Sequence, residues 1–138
     1  MLTPLQIARV YAAIANGGRL VHPFLCDRAY REPIRLPVGR EKLATVQKGL
    51  KYVVRKGTGT RAGQFGVTIT DKTGTAQNAH GDDHALFAGY APADDPRFVA
   101  VAVVEAGKHG SSVASPIVGE ILAHILSHPT GEGGGRGD

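Results

Sequence analysis

Three extended runs set close together in the second half of the sequence constrain its fold more than any other feature. Residues 67–77, 84–91 and 98–105 are dominated by β-branched, aromatic and small apolar side chains. The links between them are too short for the crossover that a parallel pair requires, so the runs form an antiparallel meander. Pro92-Ala93-Asp94-Asp95-Pro96 supplies one of the turns. Val99, Val101, Val103 and Val104 make the third run almost continuously apolar, the pattern of a strand covered on both faces. The first run alternates instead: Val67, Ile69 and Asp71 belong to one face, and Thr68, Thr70 and Lys72 to a polar one. It continues as Thr73-Gly74-Thr75-Ala76-Gln77. A lysine beside two hydroxyls and the free N–H groups of a strand edge can dock a carboxylate and an extended peptide. Gly74 between the hydroxyls lets a second backbone lie close.

Helices flank the meander and make the class α+β. Thr3-Pro4-Leu5-Gln6 carries a cap, a proline suited to the first turn and the partner of a capping box. Leu5, Ala8, Tyr11, Ala12 and Ala15 follow at helical spacing until Asn16-Gly17-Gly18 stops the helix. Arg19–Leu25 reads as a short extended piece that Pro23 keeps out of a central strand, and 26–37 as a polar, mobile connection. Arg40–Lys56 is a second amphipathic helix with Leu43, Val46, Leu50, Val53 and Val54 as its stripe, weakened by Gly49. Residues 107–112 form a flexible glycine–serine link. A last helix begins with Ser115 as cap and Pro116 as first residue; Ile117, Val118, Ile121, Leu122, Ile125 and Leu126 form its apolar side. Residues 129–138 read as a disordered, glycine-rich tail, leaving 1–128 as the folded part. The closing Arg136-Gly137-Asp138 matches an adhesion tripeptide by chance.

Charge and scattered motifs exclude several functions. Residues 1–72 carry 13 basic against 4 acidic residues, a net of +9, and the remainder 3 against 8, a net of −5. The basic residues are scattered without interleaved aromatics, so a solvated surface is favoured over a nucleic-acid face, which stands as the alternative from another class. Gly57–Gly63 approaches a dinucleotide fingerprint, but a helix precedes it and a strand follows, the reverse of what that site needs. His80-Gly81-Asp82-Asp83-His84 reads as a solvated hairpin loop. His124 and His128, at i and i+4, lack a third ligand. No metal and no cofactor is expected. The single Cys26 excludes an internal disulfide. Met1-Leu2-Thr3-Pro4 has no signal-peptide character, and no run of eighteen apolar residues is present.

Lys72-Thr73-Gly74 resembles the K-T-G motif of penicillin-binding proteins and serine β-lactamases. Its surroundings sharpen the resemblance. Gly59-Thr60-Arg61-Ala62 precedes the strand; Thr75-Ala76-Gln77, a polar loop and His84–Pro92 follow it; Thr3-Pro4-Leu5-Gln6 leads into Asn16-Gly17-Gly18 upstream. This order is similar to the C-terminal half of the transpeptidase domain of class B penicillin-binding proteins, the elongation type in particular, from Leu2 to about His128.

The resemblance implies serine acyl transfer on D-Ala-D-Ala stem peptides of peptidoglycan, with β-lactams as mimics. It gives catalytic roles to Lys72 and Thr75, and substrate-binding roles to Thr73, Gly74, Thr75 and Gln77. It implies a place in the bacterial cell envelope, on the periplasmic side of the inner membrane, for a full-length protein anchored by an N-terminal helix. A β-lactamase or β-lactam sensor is the alternative within the fold; Thr75-Ala76-Gln77 and the first helix favour the transpeptidase. The family's nucleophilic S-x-x-K and its S-x-N motif are absent: the serines are Ser111, Ser112, Ser115 and Ser127, all after the K-T-G strand. The sequence therefore reads as the back part of an enzyme, inactive alone, with the acylated serine lost or on another segment. Without the rest, the apolar faces of helices 5–15 and 117–126 would be partly uncovered, leaving the chain poorly stable or in need of a partner.

Overall fold

The structure is a computed structural model that describes residues 2–26, 29–56, 68–77, 79 and 81–128. The elements run in the order α1 (Pro4–Ala15), β1 (Arg19–Leu20), β2 (Ile34–Arg35), α2 (Arg40–Lys56), β3 (Thr70–Ala76), β4 (His84–Ala91), β5 (Phe98–Val104) and α3 (Ala114–Ser127). The glycine-rich segment Gly57–Gly63, Val67 and the tail 129–138 lie outside the described residues.

Helix α1 begins as its sequence dictates. The Thr3 hydroxyl accepts from the Gln6 N–H at 3.2 Å, and the Gln6 side chain accepts from the Thr3 N–H at 2.8 Å. It ends with Gly17 at φ +80°, and the Gly18 N–H donates to the Ala13 carbonyl at 2.7 Å. The buried residue is Ala13, not a member of the expected stripe, and Leu5 is exposed. The expected 26–37 connection is partly regular: β2 pairs antiparallel with β1, Arg19 opposite Arg35 and Leu20 opposite Ile34. Helix α2 has the bounds read from the sequence. Leu43 and Leu50 are buried, whereas Val46 points away and is exposed.

The meander forms as expected, in the order β3-β4-β5, all antiparallel. The strand covered on both faces is β4, not the valine-rich β5. Phe87, Ala88, Tyr90 and Ala91 are at most 1% exposed, whereas Val103 on β5 is 43% exposed. Position in the sheet decides this: β4 has a neighbour on each side, while β5 is an outer strand. Helix α3 covers one face, where Val118, Leu122 and Ala114 pack with Ile69, Ala85, Phe87 and Ala91. Helices α1 and α2 lie on the other, joined by a bond from the Gln47 amide to the Ile14 carbonyl at 2.7 Å. The expected polar face of β3 is therefore covered at Thr70, which is fully buried.

Two expectations at the start of α3 are corrected. Val113 occupies the N-cap without a side-chain bond; Ser115 lies inside the first turn, fully buried, its hydroxyl without a hydrogen-bond partner. The link 107–112 is also no loose tether. A Cβ on Gly107 would come 2.8 Å from the Ala85 Cβ, and the Lys108 N–H donates to the Asp83 carbonyl at 2.8 Å. Its glycines serve close packing rather than freedom. The helix faces are partly uncovered as expected: Leu5 and Val10 on α1, and Ile117 and Ile121 on α3, are exposed. No helix of the described residues is long and apolar enough to cross a membrane.

Candidate active site

Among the described residues β3 has one strand partner, β4, so its other margin faces outward. The register sets Lys72 opposite Ala88, Thr73 opposite Phe87, Gly74 opposite Leu86, Thr75 opposite Ala85 and Ala76 opposite His84. The pleat thus separates positions 72 and 74 from positions 73 and 75, and the strand edge is where both sets can meet one ligand. Thr75, Ala76 and Gln77 are exposed and Gly74 is half-buried. Gln77 follows the last strand residue, so the sequence's candidate residues share one strand and its immediate exit.

Behind this edge the backbone is held tightly, and the residue responsible was missed in the sequence. A Cβ added to Gly110 would lie 2.4 Å from the Leu86 carbonyl oxygen and 2.6 Å from that of Gly74, distances that real Cβ atoms do not show. The link into α3 therefore crosses directly over the Gly74–Leu86 pair. The close approach is permitted by the absent Cβ of Gly110, whereas a Cβ on Gly74 itself would meet the Leu86 side chain at 3.1 Å. The only sequence signal was the glycine, which reads equally well as flexibility until the register is known.

The strand is anchored below by a buried polar pair. Thr70 stands opposite Tyr90, and both are at most 1% exposed. Burial pushes the Tyr90 phenol above its ordinary value; the Thr70 hydroxyl beside it and the Lys51 ammonium pull the other way and do not prevail. The Thr70 Oγ1 meets that phenol short of full hydrogen-bond geometry. At the other end His84 Nδ1 accepts from the Ala106 N–H at 3.1 Å, so this ring holds the β5 exit. His124 and His128 stack with centroids 4.4 Å apart, and among the described residues no three metal-ligating side chains cluster.

The family described as "Penicillin binding protein transpeptidase domain" matches residues 1–123. The chain belongs to this transpeptidase family. The stage V sporulation protein D of Bacillus subtilis is 31% identical over 148 residues, covering 91% of this chain and 23% of the relative. Peptidoglycan D,D-transpeptidase FtsI of Escherichia coli is 34% identical over 145 residues, with the same coverages of 91% and 23%. Among solved structures, PBP2 of Pseudomonas aeruginosa in complex with WCK 5153 superposes with a TM-score of 0.78 at 33% identity, over 95% of this chain and 32% of that one. The D,D-transpeptidase domain from Eggerthella lenta gives 0.77 at 31%, over 92% and 33%. The penicillin-binding resemblance of the K-T-G strand and its flanks is thus the one found, and so is the α+β architecture of an antiparallel sheet with helices. The chain spans about a quarter of the length of the relatives named here.

Proposed function

We propose that this chain is the K-T-G-bearing part of a peptidoglycan D,D-transpeptidase, which cross-links stem peptides in the bacterial cell envelope and is open to β-lactams. The observation that carries the reading is Lys72-Thr73-Gly74-Thr75 on an outer strand with an open margin, in a chain of the transpeptidase family. In this reading a serine on another segment attacks the penultimate D-Ala carbonyl through its Oγ. The tetrahedral oxyanion is held by the Thr75 N–H and the serine's own N–H. Collapse breaks the amide bond, leaves the acyl group on the serine and releases terminal D-Ala, whose amine takes the proton. Lys72 stabilises negative charge and assists that proton transfer. The Thr73 and Thr75 hydroxyls bind the terminal carboxylate, Gly74 admits the peptide along the strand, and Gln77 lines the strand's exit. The acyl group then passes to an acceptor amine of a second stem peptide. Residues 1–128 form part of one transpeptidase domain in this reading, with 129–138 as an appended tail.

The test supplies the missing half. The chain is co-expressed with a segment bearing S-x-x-K and S-x-N, and acylation is read with a fluorescent penicillin. Labelling is expected only in the pair. Lys72→Ala should lower its rate by roughly 10²-fold or more. Unchanged labelling in a variant that still assembles would overturn the role of Lys72.

A further inference from the structure

A second feature uses the basic excess of the first half, for which the acyl-transfer reading has no role. Arg19 on β1, Arg35 on β2 and Arg40 at the start of α2 line one cleft of about 320 Å³. Asn16, Gly17 and Gln47 add neutral lining. Among the described residues no carboxylate pairs with these three arginines, although Lys51 and Lys108 are paired with Asp94 and Asp82. Arg19 and Arg35 are direct cross-strand partners, and like charges directly opposite each other destabilise a strand pair.

The frame keeps these charges together. Asn16 grips the Arg19 backbone twice: its amide donates to the Arg19 carbonyl at 2.7 Å, and its side-chain oxygen accepts from the Arg19 N–H at 2.8 Å. The Leu36 N–H donates to the Gly18 carbonyl at 2.8 Å, tying β2 back to the helix end. Gly18 is at φ +95°, and a Cβ there would stand 3.1 Å from Leu43 Cδ1, so the turn is packed onto α2. A repulsive pair thus sits in a well-bonded scaffold around an open space. Guanidinium groups match phosphoryl oxygens with paired, parallel N–H donors. Three of them match the charge of a diphosphate better than a single carboxylate does.

We propose that this cleft is a binding site for a phosphoryl anion of diphosphate size, separate from the β3 margin and involving none of its residues. The probe is inorganic pyrophosphate, titrated calorimetrically into the full chain at low salt, with orthophosphate as comparison. Pyrophosphate should bind more tightly than orthophosphate, and the affinity should fall with added salt. Arg35→Gln should weaken it roughly tenfold, and Arg19→Gln with Arg35→Gln should abolish it, while Lys108→Gln, past the far end of β5, leaves it intact. Arg35→Gln should also raise the melting midpoint in the absence of anion, by roughly 1–3 °C, because it relieves repulsion; a merely structural arginine would give a fall. Vesicles of phosphatidylglycerol and of phosphatidylcholine separate the sources. Retention on the anionic vesicles alone, lost in the double variant, assigns a lipid phosphate; pyrophosphate binding without retention assigns a soluble one. Undiminished pyrophosphate binding in the double variant, or no binding by the parent chain, overturns the site.

Discussion

Against α3 the sheet presents Ile69, Ala85, Phe87 and Ala91, closed over by Ala114, Val118 and Leu122. Against α1 and α2 it presents Tyr90 and Thr70, buried as deeply but carrying hydroxyls, with the Lys51–Asp94 ion pair at 2.5 Å nearby. Burial is equal on the two faces, but its energetics differ. Apolar burial is indifferent to pH and fails through shape, by voids or clashes. Buried hydroxyls cost free energy unless they are hydrogen-bonded, and a buried phenol couples the fold to proton activity. The K-T-G strand lies between these regimes, with Ile69 just before it in the apolar core and Thr70 at its start on the polar side. The site's rigidity is thus supplied mainly from the α3 side and its electrostatic surroundings from the other.

The sharpest way to break this comparison is steric. Gly110→Ala places a methyl group against two carbonyl oxygens, at 2.4 and 2.6 Å, and backbone cannot swing aside as a side chain does. The expected loss is about 1–3 kcal/mol or more, read as a lower urea midpoint at an unchanged slope. Gly107→Ala, whose nearest obstacle is the Ala85 Cβ at 2.8 Å, should cost less. Amide NMR shifts in Gly110→Ala should concentrate at Gly74 and Thr75. If Gly110→Ala is neutral, the link does not brace the strand, and the α3 side loses its claim to the site's rigidity.

How much of this was legible beforehand follows the same division. The meander, the bounds of α2, the Thr3–Gln6 cap and the candidate strand were readable, because each rests on local spacing or on turn chemistry. Which strand is central was not: the valines of β5 advertise burial, yet Ala, Gly and Tyr on β4 are buried because strands flank them. Gly110 looked like slack, since its role depends on where β3 and β4 are in register. Ser115 looked like a cap, because serine before proline is a common start signal; the helix begins two residues earlier, with Val113 at its cap. The pairing of Arg19 with Arg35 was hidden because nothing local ties residues so far apart in the chain.

The polar face yields the intermediate effect, and its sign can be worked out. Below pH 10 the Tyr90 phenol is neutral in the folded and unfolded chain alike. Its folded value is raised above the ordinary 10.0, chiefly by burial. As pH rises past 10, the unfolded chain releases this proton while the folded chain keeps it, so stability declines until the folded value is passed. Tyr90→Phe should therefore change stability at pH 7 by no more than about 1 kcal/mol, and should flatten the part of the alkaline decline that its phenol contributes. Equal alkaline slopes for the two proteins would show that the phenol is not shielded, and the contrast between the faces would weaken.

The smallest effect is a gain, and it tests whether the faces are independent. Gly49 lies in the middle of α2 with nothing within 4 Å of the position a Cβ would take. Gly49→Ala touches neither core, so only the backbone entropy of the unfolded helix changes. The expected stabilisation is up to about 1 kcal/mol, with the helix still docked on the Tyr90 side. Combined with Gly110→Ala, the two effects should add within a few tenths of a kcal/mol, because one acts at the outer surface of α2 and the other where the α3 link crosses β3. Strong coupling between them would mean that α2 and the α3 link strain a common backbone through β3, and the sheet would have to be treated as one mechanical unit rather than two differently built faces.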